Sequence, residues 1–301
     1  MTDEPLGAIC DLRSVQWQVA GDQHELRSAS HTILNRAATI LAQPDSIGSV
    51  STDRDPFLWQ VDEVGGWQVR GPDGSDLGVF ASAEDAIRRV EYGAHEQLFA
   101  TDSPFITLHA ALLGIDHAGL LLVGPGGSGK STLATALWQA GFNFHGDDVA
   151  LVAPDGAGLS AAPRRVSLRR PSQELLGDEL WQRISVTPSF MLTSEGCLFH
   201  PHELAGLVPA AAPLSPGVII FLARSGAEEL DPAELRSLSA AELLVALAPY
   251  SNVMRTGGMG AALQRLQPLA ARTPAYDLGR GPLASMLAAI DGVLPSKPQR
   301  P

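Results

Sequence analysis

Residues 120–132 read LLLVGPGGSGKST: an apolar run, a glycine-rich loop, and then Lys, Ser and Thr. The pattern Gly-x-x-x-x-Gly-Lys-Ser, which begins at Gly124, predicts a phosphate-binding loop (a P-loop, or Walker A motif) between a strand and a helix. Its glycines let backbone N–H groups turn toward an anion, and the first turn of the helix adds partial positive charge. A loop of this kind predicts an α/β domain with a sheet at its centre.

The residues of this loop have separate predicted roles. Lys130 can reach the β- and γ-phosphates of a nucleotide, and the hydroxyl of Ser131 can bind Mg²⁺. The other residues predicted to bind the nucleotide are Gly124, Gly126, Gly127, Ser128, Gly129 and Thr132. A glycine-rich turn that matches by chance is disfavoured, because strand, loop and helix follow in the required order. The motif predicts nucleotide binding but does not by itself indicate a reaction.

Two adjacent carboxylates follow the loop closely. Asp147 and Asp148 come 17 and 18 residues after Lys130, behind a predicted helix over 130–140 and a short predicted strand over 142–145. A crossover this short can just return to the same sheet edge, so we expect this strand to adjoin the loop strand and both carboxylates to lie beside the phosphates. One carboxylate could hold Mg²⁺ while the other accepts a proton from an attacking hydroxyl, as in a kinase. The alternative is a solvated Asp-Asp turn between strands.

His109 lies in the segment ITLHAALL, toward the end of a strand that we predict over 105–110, before the loop strand. A lone histidine in an apolar segment is more often a hydrogen-bonded core residue than a catalytic one. However, residues 109–152, HAALLGIDHAGLLLVGPGGSGKSTLATALWQAGFNFHGDDVALV, together resemble the catalytic domain of HPr kinase/phosphorylase. That family has a histidine, then a P-loop, then a helix that ends in glycine, and then an Asp-Asp pair.

The resemblance implies a fold, a set of roles and two cofactors. The fold would be that of HPr kinase and phosphoenolpyruvate carboxykinase, with ATP and Mg²⁺ bound at the P-loop. Asp147 would be the general base and Asp148 would be tied to metal or phosphate, although these two roles could be reversed. His109 would lie near the transferred phosphoryl group, and Lys130 would act on the same group.

The resemblance also implies a class of acceptor. Later segments, VIIFLAR, LRSLSAAELLVAL and PAYDL, look like the diverged HPr-kinase-related proteins, some of which phosphorylate serine on the precursor of a peptide natural product. The chain would then be a serine kinase that acts on a peptide or small protein. SLRRPSQELL stands roughly where true HPr kinases have their signature segment and does not match it, so HPr itself, reverse phosphorylase activity and a hexamer are not implied.

The sequence predicts three regions. Residues 1–100 predict a small α+β domain with short strands and two helices, the second starting at SAED (82–85) in the manner of a capping box. Residues 101–294 predict the catalytic P-loop domain, in which SAAE (239–242) starts a further helix. Residues 295–301, PSKPQRP, predict a disordered tail.

Composition excludes several classes of partner. The 301-residue chain carries a formal charge of −12, and residues 1–100 contribute −9 of it from 16 acidic residues and 7 arginines. With no basic stripe, nucleic acid and anionic membranes are not expected partners. Neither a signal peptide nor an apolar run of about 20 residues is visible, and two cysteines, Cys10 and Cys197, make no disulfide framework. We expect a cytoplasmic protein and leave a homo-oligomer open.

Other residues are weaker candidates. Four arginines could neutralise a phosphate, hold an acidic substrate or simply form a solvated strand edge: Arg164, Arg165, Arg169 and Arg170. Arg255, in NVMRTGGMG, is predicted to lie in a flexible glycine-rich loop that could close over the site, or on plain surface. His200 and His202 lack a third metal ligand nearby, and Cys197 has no histidine at a meaningful spacing.

Two further functions stay open at this point. The acceptor could be a small metabolite, or the chain could be a nucleotide-sensing module without catalysis. The second alternative is disfavoured because a decayed site usually lacks one of its parts, whereas this one retains all of them: His109, Lys130, Ser131, Asp147 and Asp148.

Overall fold

A computed structural model describes residues 13–41, 55–100, 103–162, 164–204, 213–222 and 231–294. Among these, the residues up to Ala94 form one compact unit and those from His95 onward form a second. Cys10 and the predicted tail over 295–301 lie outside the described residues. Within the described part of the chain, no helix is both long and apolar enough to cross a membrane.

The first unit is built on one five-stranded sheet. Its elements are β1 (Arg13–Val19), β2 (Asp22–Ser28), α1 (His31–Leu41), β3 (Phe57–Glu63), β4 (Trp67–Arg70), β5 (Asp76–Phe80) and α2 (Ala83–Ala100), the last of which continues into the second unit. The strands lie in chain order, and only the β2–β3 pair is parallel. β3 and β4 form an antiparallel hairpin, and Asp85 N–H donates to the Ser82 hydroxyl at the predicted start of α2.

The second unit has many short elements. They are β6 (Ile106–Leu108), β7 (Ala110–Ile115), β8 (Ala118–Val123), α3 (Lys130–Gln139), β9 (Asn143–Gly146), β10 (Ala150–Val152), β11 (Leu159–Ala161), β12 (Val166–Arg169), α4 (Pro171–Leu176), α5 (Asp178–Ser185), β13 (Met191–Leu192), β14 (Gly196–Phe199), β15 (Ser215–Leu222), β16 (Leu235–Leu238), α6 (Ala240–Leu247), α7 (Asn252–Ala270), β17 (Ala275–Leu278) and α8 (Leu283–Asp291). Short 3₁₀ turns cover Pro201–Glu203 and Ala248–Tyr250.

A six-stranded sheet is the centre of this unit. Its strand order is β16-β17-β15-β8-β7-β9, with β15 parallel to both β8 and β17 and with β7 antiparallel to both β8 and β9. Two three-stranded sheets, β11-β10-β6 and β12-β14-β13, accompany it. The predicted α/β class is therefore confirmed in its general form, as a mixed α/β chain with several sheets.

Both faces of the six-stranded sheet are covered. Along β8, Leu121 and Val123 join a core with α6 and α7, while Leu120 and Leu122 join a second core with α3 and α8. Successive side chains of a strand point to opposite faces, so a strand covered on both sides needs an unbroken apolar run. This is why β8 reads LLLV and β15 reads VIIFL.

Two predicted features of this unit are wrong in detail. The predicted strand over 105–110 is broken at His109, because β6 pairs with β10 whereas β7 pairs with β8. The strand after α3 does return to the sheet, but it pairs with β7 and not with the loop strand. The tight turn at Asp116 and His117 joins β7 directly to β8, so β7 occupies this edge of β8. Only the other edge of β7 is then free to pair with β9.

Arg255 does not lie in a flexible loop, which corrects the third such prediction. It belongs to α7, where the Ser251 hydroxyl caps the first turn by accepting from Met254 N–H. The glycine run disturbs this helix only at Gly258, whose φ of 74° and ψ of −177° are not helical. The guanidinium of Arg255 lies over the ring of Phe99, 5.1 Å from its centroid.

Candidate functional site

The loop between β8 and α3 depends on its glycines. Gly127 and Gly129 have φ values of 79° and 97°, a left-handed conformation that favours glycine. A Cβ atom on Gly124 would lie 2.6 Å from the carbonyl oxygen of Leu222 and 2.8 Å from the Ser128 hydroxyl. The chain can follow this path only because Gly124 has no side chain.

Lys130 begins α3 and is nearly buried, at 7% exposure. Its Nζ donates to the carbonyl oxygens of Gly124, at 2.7 Å, and Pro125, at 3.3 Å. It also lies 3.3 Å from Nε2 of His109. Burial lowers the pKa of Lys130, and the charges of the Asp pair oppose that change. The ammonium group of Lys130 is thus held beside the first residues of the loop, within reach of a ligand there.

His109 connects this lysine to the acidic pair. Its Nδ1 lies 3.0 Å from Oδ1 of Asp148, and Oδ2 of Asp148 lies 2.9 Å from Nη1 of Arg164. An ammonium group can only donate, so Nε2 accepts from Lys130 and the proton is on Nδ1, which donates to Asp148. Burial lowers the pKa of His109 despite the opposing charge of Asp148, in keeping with a neutral ring.

Asp147 is the buried member of the pair, at 3% exposure. Burial raises its pKa to about 6, and the Asp148 charge adds to the rise, whereas Arg164, a hydrogen bond with Ser131 and the charge of Lys130 act in the opposite sense. Among the described residues, its Oδ1 atom has no hydrogen-bond partner. A carboxylate oxygen without a partner at this depth is available to a ligand, a metal or a proton.

Strand pairing explains why these residues meet. Ala110 of β7 is opposite Val123 of β8, and Leu112 of β7 is opposite Gly146 of β9. His109 just before β7, the loop after β8 and the Asp pair after β9 therefore lie at the same end of these three strands. The structure brings together the predicted His109, Lys130, Asp147 and Asp148, although β7 lies between the two strands that were expected to be neighbours.

The residues fit an anionic ligand with a divalent cation. The loop offers backbone groups to a ligand, its path depends on the missing side chain of Gly124, and Ser128 Oγ is buried with no partner among the described residues. The Ser131 hydroxyl, which acts on the pKa of Asp147, and the Asp147 carboxylate supply the oxygens that Mg²⁺ prefers. Within the described ranges, no group of three or more His, Cys, Asp or Glu could hold a metal alone, so phosphate oxygens would have to complete such a site.

Thr132 and the arginines have contacts that the sequence does not reveal. The hydroxyls of Thr132 and Ser172 are hydrogen-bonded at 2.7 Å. Arg164 pairs with Asp148, whereas Arg165 is buried and donates to Sδ of Met191. The cluster of arginines in the sequence was the signal for these contacts. No local sequence pattern indicates which arginine contacts which residue.

The remaining candidates show other environments. His200 and His202 stack on each other with ring centroids 5.1 Å apart. Cys197 is buried, and burial raises the pKa of its thiol to about 12. A thiol in that state is protonated at neutral pH and is not a nucleophile.

Comparisons with known proteins place few constraints on this site. No protein-family model matches the chain, and no curated protein matches it. Among solved structures, the HPr(Ser) kinase/phosphatase from Coxiella burnetii is similar with a TM-score of 0.33 and 17% sequence identity, over 62% of this chain and 88% of that chain. At this TM-score the likeness does not establish a family, and function has to be inferred from the residues of the site.

Proposed function

We propose that the chain is an ATP-dependent kinase that transfers the γ-phosphoryl group to a hydroxyl. One observation supports this most directly: the ammonium group of Lys130, which donates to the first residue of the glycine loop, lies at the same end of the sheet as the buried carboxylate of Asp147, whose Oδ1 has no partner among the described residues. A cation for the phosphates and a base for the attacking hydroxyl are the two groups that such a transfer needs from the protein.

The two aspartates have different roles in this proposal. Asp147 is the general base, because its pKa is raised to about 6 and its buried Oδ1 has no partner among the described residues. Both oxygens of Asp148 are engaged, by His109 and Arg164, so its main role is to hold those two side chains in place. Lone pairs remain on the Asp148 oxygens, so it can still join Ser131 at the metal.

Each group of the site has one role in the proposed reaction. Backbone N–H groups of the loop orient the phosphates, and Lys130 balances the charge on the transferred group. When bound, Mg²⁺ neutralises negative charge on the phosphates. Asp147 takes the proton of the acceptor hydroxyl as that hydroxyl attacks in line with the bond to the leaving phosphate.

The acceptor class rests on a different kind of support. The proposed acceptor is a serine of a peptide or small protein, and the support is the resemblance of the later segments VIIFLAR, LRSLSAAELLVAL and PAYDL to HPr-kinase-related proteins. A separate role for residues 1–100 in placing this acceptor is part of the proposal, and their separate composition supports it.

Transfer of label from [γ-³²P]ATP tests the proposal. The purified chain is incubated with Mg²⁺ and peptides encoded near its gene, and phosphoserine is identified in the product. We expect Asp147→Asn to slow transfer by at least about 100-fold, since it removes the base. Asp116→Asn, a change in an exposed turn, is the matched control and should keep the wild-type rate.

Three results would contradict parts of the proposal. Wild-type transfer by Asp147→Asn would exclude this residue as the base. Nucleotide binding with no transfer to any hydroxyl would favour the sensing module. Label on a small metabolite and on no peptide would exclude the proposed acceptor class but leave the kinase.

A further inference from the structure

The loop has a second cationic neighbour in addition to Lys130. If Gly127 had a Cβ atom, the nearest atoms to it would be those of the Arg169 guanidinium, with Nη1 at 3.2 Å and both Cζ and Nη2 at 3.9 Å. Lys130 contacts the first two residues of the loop, whereas Arg169 lies against the fourth. Two cations from distant parts of the chain thus lie against one short stretch of backbone.

Arg169 is also uncommitted. Among the described residues its side chain makes neither an ion pair nor a hydrogen bond. Arg164 is instead paired with Asp148, and Arg165 is buried. A guanidinium carries five N–H donors in a fork that matches phosphate oxygens, and here all of them are free for a ligand.

The segment that carries Arg169 is fastened to the loop helix. Arg169 is the last residue of β12, where it pairs with Gly196 of β14. Just beyond it, Ser172 in the first turn of α4 makes the 2.7 Å hydrogen bond with Thr132 of α3. These two attachments hold the backbone of Arg169 in place, so its position beside Gly127 is supported at both ends.

The balance of charge around the loop indicates a role for Arg169. Arg164 and Asp148 cancel as a pair. Ionised Asp147 likewise offsets Lys130, so these four groups together have no surplus of positive charge for a highly anionic triphosphate. Among the described residues, Arg169 is a cation at the loop that would supply this positive charge.

We propose that Arg169 is a second phosphate ligand, which binds the β- or γ-phosphate of the nucleotide through its guanidinium fork; this inference rests on the proposed function. The bound phosphate would lie between Lys130 and Arg169, with Gly127 below it. The φ of 79° at Gly127 favours glycine, and a Cβ atom there would also lie 3.2 Å from Nη1 of Arg169.

Equilibrium binding tests the proposal without relying on turnover. The affinities of the full chain for MgATP, MgADP and AMP are measured by titration calorimetry for wild type, Arg169→Ala, Arg169→Lys and Arg170→Ala. We expect Arg169→Ala to weaken MgATP binding by about 10- to 100-fold, the cost of a charged hydrogen-bonding partner. AMP binding should stay unchanged, and Arg169→Lys should be intermediate because lysine keeps the charge but loses the fork.

Arg170→Ala is the matched control, since Arg170 is the adjacent exposed arginine. This variant should bind every nucleotide with the affinity of the wild type. Equal MgATP affinity in Arg169→Ala and Arg170→Ala would overturn the assignment, as would a loss that is the same for AMP and MgATP. If Lys130→Ala loses MgATP binding while Arg169→Ala keeps it, the proposed function stands and Arg169 is excluded. A wild-type chain that binds no nucleotide overturns both.

Discussion

The Nδ1 atom of His109 lies 3.0 Å from Oδ1 of Asp148, and this contact orients the histidine ring beside the loop. Its other nitrogen faces the ammonium group of Lys130 at 3.3 Å. The position of the lysine therefore depends on a carboxylate that it does not touch, by way of a neutral ring. Such a chain lets one acidic residue orient a cation without forming an ion pair with it.

Replacement of His109 tests this connection. We expect His109→Ala to lower kcat for phosphoryl transfer by about 10- to 100-fold, because Lys130 loses one of its contacts and shifts. His109→Asn should retain more activity, since its amide can still donate toward Asp148. His117→Ala, in an exposed turn, is the control and should leave kcat unchanged. Equal rates for His109→Ala and His117→Ala would show that the ring does not position the lysine.

The buried carboxylate of Asp147 should make stability depend on pH in an unusual sense. Its pKa in the folded chain, about 6, is raised above the unfolded value, so the folded chain binds this proton more tightly. Asp147→Asn should then increase the free energy of unfolding by roughly 1–3 kcal/mol above pH 6. The gain should shrink as the pH falls from 6 and vanish below about pH 3, where Asp is protonated in both states.

Urea unfolding at a series of pH values measures this effect, and Asp116→Asn provides a comparison in an exposed turn. The expected sign is clear: a gain for Asp147→Asn at pH 8 that is absent at low pH. A loss of stability at pH 8 would mean that contacts of the carboxylate outweigh the cost of its burial.

Gly124 should tolerate no side chain. In Gly124→Ala the new Cβ atom would meet the backbone oxygen of Leu222 at 2.6 Å, so either β15 or the loop has to move. We expect a loss of about 1–3 kcal/mol in the free energy of unfolding, as for other overpacked sites. Gly126→Ala is the control for stability, because no atom lies within 4 Å of its Cβ position. Equal losses in both variants would contradict the clash.

Signals that act over a few residues predicted much of the second unit. The apolar run before Gly124 is β8, and the helix predicted over 130–140 is α3, with Gly141 at a φ of 104° just beyond its end. The capping box of Ser239 and Glu242 is present with both of its hydrogen bonds. Each of these features is decided by a local backbone requirement, which the residue types themselves express.

Features decided by distant partners could not be read in the same way. His109 breaks a strand because the residues before and after it pair in different sheets. Arg255 is helical because Ser251 caps its helix ahead of the glycine run. The pairing of Arg164 with Asp148 depends on folding that joins separate segments, and no spacing rule applies to it.

The placement of β7 beside β8 and β9 has a bearing on how the chain is made. This hairpin, α3 and β9 belong to one uninterrupted stretch, 110–146, whereas β15 joins β8 only from residue 215 onward. Closing a short loop costs less entropy than closing a long one, so neighbours in sequence pair sooner. The corner that contains the loop and the acidic pair can therefore take shape while the ribosome is still synthesising the strands that later enclose it.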